Sequence, residues 1–147
     1  MKSVWNAHDQ RHLHDRIARL TPTTRPRWGK MNISQMVMHL CEALRMASGE
    51  LVIPSKNVPL RHTPIKQLVI YWAPFPRGAP TAKELVARAP GDWSADIREL
   101  QSRLDDYVRR GPEHATAQHP AFGTLTPKAW GVLVYRHMDH HLKQFGV

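Results

Sequence analysis

Between Asp92 and Gly111 the apolar residues Trp93, Ile97, Leu100, Leu104, Tyr107 and Val108 return every three or four positions, the spacing that lines one face of an α-helix. The ends agree with the interior: Asp92 supplies a capping carboxylate and Gly111-Pro112 ends the helix. Three other segments repeat the pattern. One runs from about Asn6 to Leu20, with Leu13, Ile17 and Leu20 on a shared face, and stops at Thr21-Pro22. Another opens at Asn32, with Gln35 as its capping-box partner, and continues through Met36, Leu40, Ala43, Leu44 and Ala47 to Gly49. The last has Thr126 as cap and Pro127 at its first position, and runs through Trp130, Val134, Met138 and Leu142 nearly to the C-terminus. Four such helices, with no paired strands, predict an all-α four-helix bundle forming a single domain over residues 1–147.

The segment from about Glu50 to Gly91 is proline-rich and less regular, and is expected to form a long crossover packed over the bundle. Within it, Thr63-Pro64 suits a cap followed by a first-position proline, predicting a short helix from Ile65 to Trp72. Thr81 and Glu84 offer another capping box. Leu51–Ile53 and Leu68–Tyr71 have strand-like composition, but neither has a partner with hairpin signals.

A single cysteine, Cys41, excludes an internal disulfide, and with no signal peptide in view it favours a reducing, cytoplasmic setting. No apolar run approaches the roughly 20 residues of a membrane span. The net charge of +9 and pI near 10.3 raise the question of nucleic acid. The basic residues are scattered, however. Arg109-Arg110 is only a pair, Pro26 interrupts Arg25 and Arg27, and no basic stretch is interleaved with aromatics. Such charge supplies salt-sensitive, sequence-blind attraction, so no specific nucleic-acid partner is expected.

Ten histidines stand in this chain, and helix geometry sorts them. On the last helix His141 lies about 40° from His137, inside the arc that also holds Trp130, Val134, Phe145 and Met138. His140 falls outside it, nearer the polar flank. Two imidazoles one turn apart on a buried face leave polar nitrogens unsatisfied, at about 1–3 kcal/mol each, unless they find partners. A shared metal would satisfy them, since neutral imidazole binds zinc, nickel, copper or iron well. The alternative is two core histidines bonded to backbone or water.

On the second helix His39 borders the apolar arc and is the candidate third ligand. Gln35 and Glu42 sit just beyond it. Either suits an acceptor for an imidazole N–H, and Glu42 is also a candidate catalytic base, against the plainer role of a solvated carboxylate. His8 and His12 share a face with Asp15 and Arg19 and are expected in solvent. His14, His62 and His114 lack apolar context. His119, before a proline in the loop entering the last helix, is a candidate for a pocket mouth or for anchoring that loop. Cys41 falls roughly opposite His39, as a packing residue would. Trp28 and Trp72 are candidate pocket walls, and Arg136 or Lys30 could meet an anionic substrate.

A histidine in the second helix followed by HxxxH in the last resembles the DinB/YfiT-like metalloenzyme superfamily. Leu20-Thr21-Pro22, Trp28-Gly29-Lys30-Met31, Gln35-Met36 with His39, His119-Pro120-Ala121-Phe122-Gly123, Trp130-Gly131 and His140-His141-Leu142-Lys143-Gln144-Phe145-Gly146 look like a branch of unknown function within it. The resemblance covers nearly the whole chain. It implies a mirror variant of the up-and-down bundle, with the long crossover between the second and third long helices. It also implies a metal site at His39, His137 and His141, filled by nickel or zinc foremost, with iron, copper or manganese as alternatives. Some relatives are transferases or isomerases using bacillithiol or mycothiol, and many are dimers. The expectation is therefore a metal-dependent enzyme acting on a small molecule, with a low-molecular-weight thiol as cosubstrate in an S-transferase, or water in a hydrolase, and a homodimeric assembly. The competing class is a non-catalytic metal- or small-molecule-binding bundle.

Overall fold

The computed structural model of the protein describes residues 1–55, 58–77 and 81–147. Four long helices carry it: α1 (Ala7–Ile17), α2 (Ile33–Ala47), α4 (Trp93–Arg110) and α5 (Pro127–Gln144), with a short α3 (Ile65–Tyr71) between the second and third of them. Three starts follow the sequence closely. Asn32 and Gln35 form a reciprocal capping box, Asp92 accepts from the Ala95 N–H, and Thr126 accepts from Ala129 with Pro127 at the first position. The first helix ends at Ile17, a turn earlier than expected, yet Leu20 still reaches the core.

α1 and α2 each pack against both α4 and α5. Leu13, Ile17, Met36, Leu40, Leu100, Leu104, Trp130, Met138 and Leu142 fill the space between them, each almost wholly buried. One polar tie runs through this packing: buried Arg16 donates to Asp139 (2.7 Å) and to the Val147 carbonyl (2.8 Å), joining α1 to α5 and the C-terminus.

The crossover, apart from residues 56–57 and 78–80, which lie outside the described residues, consists of 3-10 turns at Pro59–Arg61 and Lys83–Val86 with α3 between them. Leu68–Tyr71 is helical, so its strand-like composition reflects packing of α3 against α5. Two capping expectations fail here. Pro64 itself takes the cap position of α3, and the Lys83–Val86 turn starts after Ala82 without a side-chain cap. A single 3-10 turn is too short for a Thr81–Glu84 box to close on it. Instead Arg136 reaches from α5 to cap the far end of α3, donating to the carbonyls of Val69, Ile70 and Ala73.

The absence of paired strands also needs correcting. Gln118–His119 and Gly123–Thr124 form a small antiparallel pair, so the structure is mostly helical with one two-stranded sheet. Gly123 sits at φ 68°, a conformation open to glycine, and it lets the three residues between the strands turn back. Among the described residues no helix is long and apolar enough to cross a membrane.

At Gly131, Trp5 of the N-terminal segment lies directly against α5, stacks on Tyr107 with ring centroids 5.2 Å apart, and donates its indole N–H to the Pro127 carbonyl at 2.8 Å. A methyl group at residue 131 would collide with that indole. Displaced packing costs roughly 1–3 kcal/mol, more than the ~1 kcal/mol an alanine gains in helix propensity. Gly131→Ala should therefore lower the urea midpoint; an unchanged midpoint would mean that Trp5 re-seats without loss.

Candidate metal centre

α2 and α5 pass each other where His39 faces His137 and His141. The three ring centroids are 4.7–5.0 Å apart pairwise. One ligand nitrogen from each ring lies within 4.8 Å of the others, and Nε2 of His39 is 3.0 Å from Nε2 of His137. An ion at roughly 2.1 Å from each nitrogen would hold a tetrahedral set about 3.4 Å apart. The His39–His137 pair stands just inside that spacing, and the third nitrogen lies no further than 4.8 Å from either.

The remaining ring nitrogens explain the orientation. His39 Nδ1 lies 3.2 Å from the Leu85 carbonyl, which can only accept, so Nδ1 carries the proton and Nε2 turns a lone pair inward. His141 is set the same way by Gln144. The Gln144 amide N–H donates to the Trp28 carbonyl (2.8 Å), leaving its oxygen to accept from His141 Nδ1 (2.8 Å). Gly29, at φ 85°, makes room: a Cβ there would lie 2.5 Å from the Gln144 amide nitrogen. Two of the three histidines thus have their tautomer fixed by an acceptor behind the ring, the usual support for a ligating imidazole.

Burial keeps the rings neutral. It holds His39 down to about 4 and His141 down to about 3, and drives His137 well below the ordinary imidazole value. Repulsion between the rings adds to this for His137 and His141. Neutral, inward-facing imidazoles are the protonation state that a divalent first-row ion requires, so the residues present fit such an ion. His39 and His141 are buried, while His137 keeps part of its surface accessible. Phe75 stands 6.5 Å from His137 and 5.9 Å from His140, and Trp28 is 6.0 Å from His140.

The other candidates divide. Gln35 is occupied by its capping box and accepts from Asn32, away from any imidazole. Glu42 is buried, with Oε2 on Arg45 at 2.9 Å and Oε1 facing Arg88 at 3.0 Å, so it is not a solvated carboxylate. His119 anchors its loop: Nδ1 accepts from the N–H groups of Ala121 (3.1 Å) and Phe122 (3.2 Å), and burial holds it down to about 4. Cys41 is buried and its thiol pushed up to about 12, as suits a packing residue. Trp72 is 74% exposed and walls nothing, whereas Trp28 approaches the centre. Arg136 is engaged by the end of α3, and its guanidinium lies 5.0 Å over Phe75. His8 is exposed as expected, but His12 is half-buried and pairs with the Tyr135 hydroxyl at 3.2 Å.

Sequence reasoning missed Gln144, the Leu85 carbonyl and the proximity of His140, whose ring is 5.1 Å from that of His141. Gln144 was the findable one, since it follows His141 by three positions and so shares its face.

Neither the curated proteins nor the solved structures offer a match to the chain. A family model described as "Protein of unknown function (DUF1569)" matches residues 5–146. The match takes in all five helices and all three clustered histidines, and the chain belongs to this DUF1569 family.

Proposed function

We propose that this protein is a metal-dependent enzyme, with one divalent ion, nickel or zinc foremost, held by His39, His137 and His141 in a bundle of the DinB type. The observation that carries it is the convergence of three neutral imidazoles, two of them with the outer nitrogen already committed to an acceptor. When bound, the ion supplies a Lewis acid with open positions that acidifies or polarises a neutral donor. The chain's own residues do the rest. The accessible side of His137 sets the approach, and Phe75 and Trp28 give it apolar walls. Half-buried His140 is the titratable group beside the ligands suited to accept a proton at a ring nitrogen. The reaction class that fits the family resemblance is transfer of a low-molecular-weight thiol to an electrophile, with hydrolysis second.

Burial of two of the three rings, His39 and His141, favours a second reading, a non-catalytic metal binder. Metal analysis of the protein as purified, followed by turnover assays of electrophiles with several thiols, separates the two. An enzyme should carry about one equivalent of ion, lose turnover on chelation and regain it on readdition. Retained metal with no turnover under any thiol would leave the binder.

A further inference from the structure

Two contacts of the same spacing join the crossover to α2. His39 meets the Leu85 carbonyl at 3.2 Å, and Glu42, three residues further on, meets Arg88, three residues beyond Leu85, at 3.0 Å. The first contact orients a metal-facing ring; the second is an ion pair. Glu42 is 3% exposed, a position in which a carboxylate is retained only when cations surround it. Its Oε1 and the Arg88 Nε lie 3.0 Å apart without the alignment of a hydrogen bond, and neither has a hydrogen-bond partner among the described residues, so charge holds the two together. Arg88 continues to α4 through Glu99 at 2.8 Å, and Glu99 also holds Arg103 at 2.7 Å. Arg88 is therefore anchored on both helices that flank the crossover, while the Lys83–Val86 turn before it has no side-chain cap of its own.

We propose that Glu42 and Arg88 are positioning residues for the metal centre: their ion pair seats the Lys83–Val86 turn so that the Leu85 carbonyl holds His39 with Nε2 facing inward. Neither residue touches a ligand or substrate atom; both act through Leu85. This gives buried Glu42 a task other than that of a base. The effect on metal affinity rests on the proposed metal site, whereas the orientation of His39 does not.

The test compares wild-type protein with Arg88→Ala, Arg88→Lys, Glu42→Gln, the Glu42→Gln/Arg88→Ala pair, and Arg110→Ala. The last breaks an ion pair with Glu50 in the same belt of charges, at the opposite end of the crossover from the Lys83–Val86 turn. Arg88→Ala leaves Glu42 its partner Arg45, so the fold should survive. Zinc affinity, read by competition with a chelator, should fall about 10-fold in Arg88→Ala and in Glu42→Gln. The double variant should lose little more, because both changes cut one path. Arg88→Lys should recover part of the loss, and Arg110→Ala should stay within about twofold. In the metal-free proteins, imidazole nitrogen NMR should show the His39 Nδ1–H protected from exchange in wild type and Arg110→Ala, and unprotected in Arg88→Ala.

The proposal is overturned if Arg88→Ala keeps both its zinc affinity and the protected Nδ1–H, or if Arg110→Ala loses them equally. A wild-type protein that binds no zinc would remove the metal reading alone, and the metal-free resonance would then decide.

Discussion

His137→Ala should weaken zinc binding by about 100- to 1,000-fold, with His8→Ala, an exposed control, unchanged. The magnitude follows from the roughly 10–16 kcal/mol that four-ligand zinc sites supply. Divided among ligands this is on the order of 3–4 kcal/mol each, and each 1.4 kcal/mol is tenfold in affinity. His137 is the informative choice because its Nε2 faces that of His39 at 3.0 Å and it is the ligand with part of its surface accessible, so truncation removes the ring that closes the set. Isothermal titration on metal-free protein reads the change, and circular dichroism of the same sample checks that the helices persist. A loss under about fivefold would mean that the ion, if bound, sits elsewhere.

The metal-free protein should lose stability steeply as pH falls from about 6.5 towards 4. His39 and His119 are held down to about 4 and His141 to about 3 in the fold, all by burial first, while an unfolded chain returns each to near 6.5. Above 6.5 these rings are neutral in both states and contribute no pH dependence. Below it the unfolded chain takes up protons that the fold refuses, so unfolding is favoured with every further drop. Each ring contributes on the order of 3 kcal/mol by the time pH reaches its folded value, and several together approach the 5–15 kcal/mol that holds a domain of this kind. Urea midpoints measured across pH 4–7.5 should fall on the acid side. A flat profile would show that the rings are protonated in the fold. Saturating zinc should move the decline to lower pH, since it competes with the same protons.

What the sequence made legible was whatever one helix decides for itself. The caps at Asn32, Asp92 and Thr126 and the shared face of His137 and His141 follow from local spacing, and all hold. His39 was reachable because it, too, borders an apolar arc. What sequence alone left open was set by distant neighbours. Arg45, three positions along the same helix, was a legible partner for Glu42, but its second guanidinium comes from Arg88, forty-six positions away across an irregular crossover. The hairpin at Gln118–His119 and Gly123–Thr124 has strands too short for any alternation to register, and its organising contact is a side chain, His119, bonded to backbone N–H groups. Arg136 looked like a free cation on a wheel; only the position of α3 shows that carbonyl oxygens already claim it.

The three proposed ligands are divided between α2 and α5, and His39 and His137 stand 98 positions apart in the chain. The unfolded chain does not hold the full set together, so an ion bound at the three histidines would favour the fold by mass action, by about 4 kcal/mol at a thousandfold excess over Kd. Survival against cellular proteases would then follow the supply of free metal: a starved cell would degrade its idle copies first, and abundance of the protein would report metal status with no dedicated sensor.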